Sequence, residues 1–370
     1  MQESPLSIQL RDIILDNSVL LGTTRRYTLN TAQDVRTFMR EAVASHVPAI
    51  LTGRLATCPA LQRWIAAPSR MLDDAGECSV TVTHTPHGLA DAVVPIPLDA
   101  ADAPQAAFLM PYETRMPFKQ LWAALQDPSK PAPHRVAGQL SSASEPTSAS
   151  DSPVRICGSQ DPIMYLSAQN SNLTRELPSL AAMLPSVMPL ASAVWQVEAE
   201  AVNLWVGDER SISSMHKDPF ENLYAVVAGC KRFVLAPPIA AMALHEREWP
   251  AAELQRDEDC GEWSARFTGE HTPWIPVDPT APADELRAAW GDFTADVVPS
   301  LVHTVDVHPG EVLYLPALWY HSATQTEFTV AVNWWHDMAM DHRWVHLQVA
   351  QCIGAALTEP TGMPESSAGE

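Results

Sequence analysis

The apolar positions of this chain follow two periods, and each predicts a different kind of element. Thr31 and Asp34 open a segment of helical periodicity that extends to about His46, because a threonine followed three residues later by an acid signals a helix start. Its apolar stripe consists of Val35, Phe38, Met39 and Val43. A second amphipathic segment runs from Asp341 toward Leu357. Its apolar positions are Trp344, Val345, Val349 and Ile353. The pattern therefore predicts a helix near each end of the chain.

Between these helices, short apolar runs punctuated by glycine and proline predict strands from about Ala193 onward. Asn222 lies in one such run and Lys231 begins the next, with Gly229 between them, so this pair of runs predicts a hairpin. Many short strands separated by turn residues are typical of a double-stranded β-helix, or jelly roll. The expected fold class is mainly β with helices: a jelly-roll core with an N-terminal α/β elaboration and a C-terminal helix.

Local composition divides the chain into four stretches. Residues 1–130 are expected to form an α/β lead-in packed on the core, and residues 131–161, dense in Ser, Pro and Ala, predict a disordered insertion. Residues 162–340 form the predicted catalytic core, with an insert at about 239–300. Buried packing is the expected use of the tryptophans in that insert, which are Trp249, Trp263 and Trp290. Residues 341–370 supply the C-terminal helix and a frayed tail.

The composition of the whole chain narrows the class of protein. Its 370 residues are 46% apolar, enough for one large core, and no apolar run approaches the roughly 20 residues of a membrane span. The first residues lack the basic-then-apolar order of a secretory signal, and the six cysteines show no CxxC spacing. A net charge of −21 argues against direct nucleic-acid binding and suits a basic partner. We therefore expect a protein of the cytoplasm, with the nucleus as an additional location, that contacts no membrane.

The strongest chemical signal is the run His216-Lys217-Asp218, followed 105 residues later by His321 in an apolar, aromatic segment. In an extended strand residues i and i+2 point to the same side, so His216 and Asp218 leave one face together. Two imidazoles and one carboxylate are the ligand set of non-haem Fe(II) oxygenases, and they leave positions open for a cosubstrate and oxygen. A His-x-Asp pair alone is weak, because most strand histidines are only hydrogen-bonded. The residues around the pair are what favour a metal site.

Lys231 lies fifteen residues after His216 among apolar strand positions. A lysine in such a place is costly to bury without an anionic partner. In an oxygenase that partner would be the distal carboxylate of 2-oxoglutarate, whereas the plain alternative is an edge lysine that reaches water. Ser213 and Asn222 could give hydrogen bonds to the same ligand, although each also has an ordinary explanation as a strand serine and a turn residue.

Other histidines offer weaker alternatives. His303 and His308 flank Asp306 but are five positions apart, so they point to opposite faces of a strand. His342 and His346 have the i, i+4 spacing of a zinc site, but an arginine follows His342 where a zinc protease needs a glutamate. Surface or capping roles are expected for the C-terminal histidines, which are His336, His342 and His346. No GxSxG elbow or P-loop occurs in the sequence, so no motif of this kind supports a hydrolase or a nucleotide-binding protein.

Longer motifs around these residues resemble those of one family, the Jumonji-C (cupin-type) 2-oxoglutarate oxygenases. The matching stretches are residues 203–233, PWIPVDPTAP from Pro273, GEVLYLPALWYH ending at His321, and AVNWW from Ala331. Weaker matches lie upstream, at CPALQRW from Cys58, TPHGLADAV from Thr85 and QNSNLTRELP from Gln169. The resemblance covers most of the chain apart from the insertion and the tail.

The resemblance implies the chemistry of the site. It assigns Fe(II) to His216, Asp218 and His321, with 2-oxoglutarate and O2 as cosubstrates. It pairs the carboxylate of 2-oxoglutarate with Lys231. The remaining residues that it assigns to the cosubstrate or its pocket are Tyr165, Ser213, Asn222 and Asn333. The family more often has threonine at the position of Ser213, and serine keeps the hydroxyl.

The same resemblance implies an activity and partners. It favours a peptidyl-lysine hydroxylase whose protein substrate is a GTP-binding protein of the developmentally regulated type, and a homodimer formed through the C-terminal helix. A demethylase of N-methyl-lysine or N-methyl-arginine begins with the same hydrogen abstraction, but this chain has no cysteine-rich zinc module, which favours hydroxylation. A noncatalytic cupin that binds a partner in its groove is the third alternative. The intact ligand set and Lys231 argue against it.

Overall fold

The structure is a computed structural model that describes residues 4–54, 56–96, 105–127, 129–130, 140, 145–146, 153–156, 161–167, 169, 171–185 and 187–358. Within these residues no helix has both the length and the apolar character needed to cross a bilayer. The described cysteines are free thiols, namely Cys58, Cys78, Cys230, Cys260 and Cys352.

The secondary structure combines eleven described α-helices with twenty described strands. The helices are α1 (Pro5–Asn17), α2 (Ala32–Phe38), α3 (Pro59–Ala66), α4 (Arg70–Ala75), α5 (Phe118–Leu125), α6 (Asn172–Glu176), α7 (Pro178–Ala181), α8 (Pro189–Val194), α9 (Ala283–Trp290), α10 (Asp292–Leu301) and α11 (His342–Thr358). A π-helical turn, Met39–Val43, follows α2, and 3-10 turns cover Ser18–Leu21 and Pro238–Met242. The strands are β1 (Arg25–Thr28), β2 (Ala49–Thr52), β3 (Ser79–Thr85), β4 (Leu89–Ala90), β5 (Ala92–Ile96), β6 (Gln105–Met110), β7 (Tyr112–Pro117), β8 (Glu145–Pro146), β9 (Val154–Ile156), β10 (Ile163–Tyr165), β11 (Ala201–Gly207), β12 (Ile212–His216), β13 (Phe220–Ala228), β14 (Lys231–Ala236), β15 (Arg247–Arg256), β16 (Trp263–Trp274), β17 (His303–Val307), β18 (Val312–Leu315), β19 (Tyr320–Gln325) and β20 (Thr329–Asp337).

Two facing sheets form the centre of the molecule. The major sheet has the strand order β1-β2-β18-β13-β20-β11, and the minor sheet has the order β17-β14-β19-β12-β4. The chain changes sheet after β11, β12, β13, β17, β18 and β19, which is the winding of a double-stranded β-helix. The predicted jelly-roll core is therefore confirmed. Its first strand begins at Ala201 rather than near Ala193, because the preceding residues form α8.

The predicted hairpin at Gly229 is wrong. β13 pairs with β18 and β20 in the major sheet, whereas β14 pairs with β17 and β19 in the minor sheet, so the turn joins the two sheets. Gly229 has a φ of +74°, and a Cβ atom there would come within 2.2 Å of the Phe328 carbonyl oxygen. The turn therefore requires glycine. A run of turn residues looks the same in sequence whether the flanking strands pair or face each other.

Alternation along the strands separates three apolar layers. The layer between the two sheets includes Val226, Phe233 and Leu313. On the outer face of the major sheet, neighbouring residues such as Leu223 pack beneath helices from the N-terminal half. On the outer face of the minor sheet, residues such as Val234 pack against α9, α10 and α11. Burial on both faces explains why these strands read as nearly continuous apolar runs.

The N-terminal lead-in is interwoven with the core. β1 and β2 extend the major sheet and β4 extends the minor sheet. A third sheet has the order β5-β6-β15-β16-β9 and so joins the lead-in to the insert, while β10, β3 and β7 form a smaller sheet. The insert tryptophans are buried, as expected: Trp249, Trp263 and Trp290.

Most of the predicted insertion at 131–161 lies outside the described residues. Within its described part, β9 pairs with β16 and β8 pairs with β6. These two short stretches are strands held by backbone pairing with a neighbouring strand, and disorder of the insertion stays a prediction.

The two predicted terminal helices are present with one revision. Thr31 caps α2 in a capping box with Asp34, and the π-helical turn carries the helix on to Val43. In α11, however, Val345 and Val349 are 56% and 52% exposed. The buried face consists of Leu347 and Ala350, flanked by Trp344 and Ile353. The predicted stripe is thus partly wrong, because contact with the 3-10 turn at Pro238–Met242 selects the neighbouring face. The predicted frayed tail lies outside the described residues.

Candidate metal centre

The three predicted metal ligands meet on the inner face of the minor sheet. His216 ends β12, Asp218 follows two residues later, and His321 lies in β19. β12 and β19 are antiparallel neighbours whose register sets His216 opposite His321, with 4.3 Å between ring centroids. One ligand atom from each of the three residues lies within 4.8 Å of the others. No other group of three His, Cys, Asp or Glu side chains comes so close in the described part of the chain.

Backbone carbonyls orient both imidazoles. The Nδ1 atom of His216 lies 2.7 Å from the Ser214 carbonyl oxygen. The Nδ1 atom of His321 lies 3.1 Å from the Trp319 carbonyl oxygen. A carbonyl only accepts hydrogen bonds, so each Nδ1 carries a proton and Nε2 is the atom that each ring would offer to a metal. Burial and the adjacent His216 ring lower the pKa of His321 to about 4, so this ring is neutral at neutral pH. The Oδ2 atom of Asp218 lies 3.9 Å from the Nε2 of His216 and 3.6 Å from that of His321.

A β-bulge brings Ser213 to the same side of β12 as His216. The pairing register with β19 shifts between these two residues, so an odd separation of three places both on one cavity wall. Regular alternation would send them to opposite faces. Outside the bulge, the Trp274 ring stacks on His216 with 5.8 Å between centroids and 9° between planes. Its Nε1 atom donates to the Ser214 hydroxyl at 2.9 Å. The first ligand is therefore held from two sides.

Lys231 points into the space between the two sheets and is 5% exposed. Its Nζ donates to the Oε1 of Gln325 at 2.5 Å. The amide of Gln325 is itself fixed by donation to the Ser211 hydroxyl and the Asp208 carbonyl. Among the described residues, no carboxylate lies within 4 Å of this Nζ. Burial lowers the pKa of Lys231 to about 7. A buried amine without an anionic neighbour is suited to an anionic ligand.

One cavity connects the metal ligands with Lys231. Three residues that the family resemblance assigns to the pocket lie on its wall, namely Ser213, Asn222 and Asn333. A second cavity adjoins it and shares Lys231, Ser213 and Tyr224, but none of the three metal ligands. The space between the sheets thus has a metal end and a lysine end.

Tyr165 lies at the lysine end only. It belongs to β10, is 5% exposed and lines the second cavity without reaching the first. Burial and the nearby Asp91 carboxylate hold the pKa of the Tyr165 phenol above its usual range, so the hydroxyl stays protonated. Its place is compatible with contact to a carboxylate held at Lys231, and not with contact to the metal.

The two predicted asparagines form one hydrogen-bonded pair. The Nδ2 of Asn333 donates to the Oδ1 of Asn222 at 3.1 Å. The Oδ1 of Asn333 accepts from the Trp205 indole at 2.9 Å and from the Nδ2 of Asn203 at 3.3 Å. The amide oxygen of Asn333 is therefore saturated by protein groups. The Nδ2 of Asn222 makes no hydrogen bond to a described residue, which leaves a donor on the cavity wall.

The cavity residues that sequence reasoning missed include Tyr224, Gln325 and Trp335. The hydroxyl of Tyr224 and the indole Nε1 of Trp335 are buried without a hydrogen-bond partner among the described residues. Period-2 alternation places Tyr224 on the face of Asn222, and Gln325 on the face of His321. The sequence therefore indicates that these residues share a strand face with predicted site residues, but it does not indicate that this face lines a cavity.

The remaining histidines lie elsewhere. Neither His303 nor His308 lines the cavity. The surface or capping role expected for His336 is wrong, because β20 lies in the middle of the major sheet. This ring is 1% exposed and stacks on Trp195 at 5.1 Å. Exposed positions on α11 are occupied by His342 and His346, as expected.

The region of sequence similarity to known proteins includes every residue of this site. The family described as Cupin-like domain matches residues 35–342. The chain is 32% identical over 328 residues to the Homo sapiens protein named Bifunctional peptidase and (3S)-lysyl hydroxylase JMJD7, covering 88% of this chain and 87% of that protein. It is 29% identical over 335 residues to JmjC domain-containing protein E of Dictyostelium discoideum, covering 84% of each. It is 28% identical over 322 residues to Lysine-specific demethylase JMJ32 of Arabidopsis thaliana, covering 85% and 83%.

Proposed function

This chain belongs to the cupin-like domain family and, with its JmjC relatives, to the Jumonji-C oxygenases, and on that premise we propose that it is an Fe(II)- and 2-oxoglutarate-dependent lysyl hydroxylase of proteins. One observation carries the proposal. A cluster of two imidazoles and a carboxylate shares a cavity with Lys231, a buried amine that has no carboxylate partner among the described residues. The first group suits a ferrous ion and the second suits a dicarboxylate.

The ligand residues each have a distinct part in holding Fe(II). His216 and His321 would each bind the ion through Nε2, and Asp218 would bind it through a carboxylate oxygen. Three protein ligands would leave coordination positions for the other reactants. When bound, Fe(II) and 2-oxoglutarate supply the oxidising chemistry with O2, as they do throughout this family. The protein contributes binding, orientation and exclusion of water.

The cosubstrate is assigned by charge and by donors. The Lys231 ammonium would neutralise the carboxylate of 2-oxoglutarate that is remote from the metal, and the hydroxyls of Ser213 and Tyr165 lie on the walls at that end. Asn222 supplies a free amide donor at the metal end, held in place by Asn333. The cavity wall therefore presents mostly donors, which matches a dianion.

The human relative supports lysine as the target residue, and the GTP-binding protein is what the family resemblance implies. The human relative is named as a lysyl hydroxylase, and 32% identity over 88% of this chain supports the same reaction class here. We take the substrate to be a lysine of a GTP-binding protein of the developmentally regulated type, in the cytoplasm and also in the nucleus. The net charge of −21 would favour encounter with a basic, lysine-bearing protein.

Demethylation of N-methyl-lysine is the second candidate. It is favoured by the Arabidopsis relative, which is named as a lysine-specific demethylase and is nearly as similar. Both reactions begin with removal of hydrogen from a carbon next to the same cavity, so the ligand geometry alone supports both.

A single incubation separates these activities. The purified chain would be mixed with ferrous iron, 2-oxoglutarate and a lysine peptide from such a GTP-binding protein, in unmethylated and methylated forms. We expect mass spectrometry to show one added oxygen on the unmethylated peptide, with stoichiometric succinate. Loss of methyl with formaldehyde would support demethylation, and peptide cleavage would reveal the peptidase activity in the human relative's name. Absence of succinate with and without peptide would contradict the proposal and favour a noncatalytic cupin.

A homodimer through α11 is also proposed. Three exposed apolar side chains lie on this helix or just before it: Met340, Val345 and Val349 are 72%, 56% and 52% exposed. Light scattering should give twice the monomer mass of 40.4 kDa, and Val345→Glu with Val349→Glu should give the monomer. A monomeric wild type at micromolar concentration would contradict this.

A further inference from the structure

Tyr224 carries a buried hydroxyl for which the described part of the chain offers no hydrogen-bond partner. The residue is 4% exposed and lines both cavities beside Lys231. Its ring is fixed by an edge contact with Phe233, at 5.0 Å and 81°, and by Trp205 at 6.2 Å. The hydroxyl therefore has a defined place, and burial holds the pKa of Tyr224 above its usual range, so it is a donor.

Comparable buried tyrosines are paired. Tyr314 donates to Glu221 at 2.9 Å, and Tyr320 donates to Glu246 at 3.1 Å. Both carboxylates lie outside the cavity, whereas Tyr224 faces inward. An unsatisfied buried hydroxyl costs folding free energy. The missing acceptor is therefore expected to come from a ligand.

The neighbours of this hydroxyl define the ligand's chemistry. Lys231 presents a cation, and its one acceptor neighbour, the Oε1 of Gln325, is already in use. The group that fits between Lys231 and the Tyr224 hydroxyl is an anion with several acceptor oxygens. Tyr224 and Lys231 line the second cavity, which the metal ligands do not reach, so that anion lies at the lysine end.

We propose that the Tyr224 hydroxyl donates a hydrogen bond to the carboxylate of 2-oxoglutarate remote from the metal, beside Lys231, and so helps to select a dicarboxylate. This proposal rests on the proposed function. It adds a recognition residue that neither the spacing of the motifs nor the family resemblance assigned.

Ligand binding to Tyr224→Phe tests this without turnover. Calorimetry of the metal-loaded protein without oxygen would compare 2-oxoglutarate with 2-oxopentanoate, which keeps the oxo acid but lacks the second carboxylate. We expect the Kd of 2-oxoglutarate to rise about 10- to 100-fold, as for loss of one hydrogen bond to a charged group. The Kd of 2-oxopentanoate should change less than about twofold. This ligand lacks the carboxylate that would accept the hydrogen bond, so loss of the Tyr224 hydroxyl removes no contact with it.

Thermal stability gives a second readout, with Tyr314→Phe as the matched control. Without ligand, Tyr224→Phe should melt no lower than the wild type, because its hydroxyl has no described partner to lose. Tyr314→Phe should melt lower, since it gives up the bond to Glu221, and should bind 2-oxoglutarate with wild-type affinity.

Three results would overturn the assignment: equal 2-oxoglutarate affinity in Tyr224→Phe and wild type, equal weakening for both ligands, or a lower melting temperature of the ligand-free variant. A wild type that binds no 2-oxoglutarate would instead remove the proposed function itself. A wild-type protein that binds 2-oxoglutarate with the same Kd as Tyr224→Phe would exclude only the role of Tyr224.

Discussion

At the scale of single residues, backbone carbonyl groups orient the two histidine ligands. Carbonyl oxygens fix the protonated Nδ1 of His216 and His321, so that both Nε2 atoms face Asp218. The residue types and their i, i+2 spacing could be predicted from sequence. The shared face of Ser213 and His216 could not, because it depends on a bulge that only pairing with β19 produces.

Replacing the carboxylate ligand should abolish iron binding and spare the fold. The side chain of Asp218 makes no hydrogen bond to a described residue, and its only ion-pair neighbours are the two histidines. Asp218→Ala should therefore weaken ferrous binding at least about 100-fold, since even the loss of groups that only orient ligands costs 10–100-fold. Anaerobic titration measures the affinity and circular dichroism the fold. Asp306→Ala, on the outer strand β17, serves as a control, and retained iron binding in Asp218→Ala would refute the assignment.

Binding of the dicarboxylate should weaken as pH rises above about 7. The pKa of Lys231 is lowered to about 7 by burial, so above that pH the free protein holds mostly neutral amine. A dianion binds the ammonium form, so binding takes up a proton, and the apparent Kd should rise up to about tenfold per pH unit. Calorimetry in buffers of different ionisation enthalpy detects the proton. Lys231→Met should bind weakly and without this pH dependence; an equally steep dependence in that variant would exclude Lys231 as its source.

At the scale of elements, alternation located the strands but not their partners. The runs around β13 and β14 were read as a hairpin, yet each strand belongs to a different sheet. Alternation records which residues are buried, and both arrangements bury the same residues. The choice between them is made by β18 and β20 on one side and by β17 and β19 on the other.

The turn between the sheets should tolerate no side chain at Gly229. A Cβ atom would lie 2.2 Å from the Phe328 carbonyl oxygen, in addition to the cost of a φ of +74°. Gly229→Ala should lower the free energy of unfolding by about 3 kcal/mol or more, measured in urea. Gly310→Ala is the matched control. Gly310 has a φ of +87° but no atom within 4 Å of its Cβ position, so about 1–2 kcal/mol is expected. Equal losses would show that the contact with Phe328 is immaterial.

At the scale of the whole molecule, Glu246 joins three distant parts of the chain. Its carboxylate accepts hydrogen bonds from Lys217 at 2.5 Å, from Tyr320 at 3.1 Å and from Gln351 at 2.8 Å. Lys217 stands between two metal ligands, Tyr320 precedes the third, and Gln351 lies in α11. The C-terminal helix is therefore tied directly to the strands that carry the site.

Breaking this junction should loosen α11 as well as lower stability. Glu246→Ala leaves Lys217 and Gln351 without their shared acceptor, and we expect a loss of about 1–3 kcal/mol in the free energy of unfolding. Hydrogen exchange should accelerate in α11 and at the end of β12. Glu77→Ala, which removes the exposed pair with Lys119, should change stability by less than about 0.5 kcal/mol. Unchanged exchange in α11 would show that its apolar face alone holds it.

The sequence by itself determined the ligand types, the strand faces, the capping of α2 and the jelly-roll class, because each is written in short-range spacing. Tertiary structure alone decided which strands pair, the bulge beside His216, the burial of His336 and the inward hydroxyl of Tyr224. These features depend on contacts between residues far apart in sequence, such as His216 with His321. Local periodicity states which side of a strand is buried, but only the packed sheets determine what that side meets.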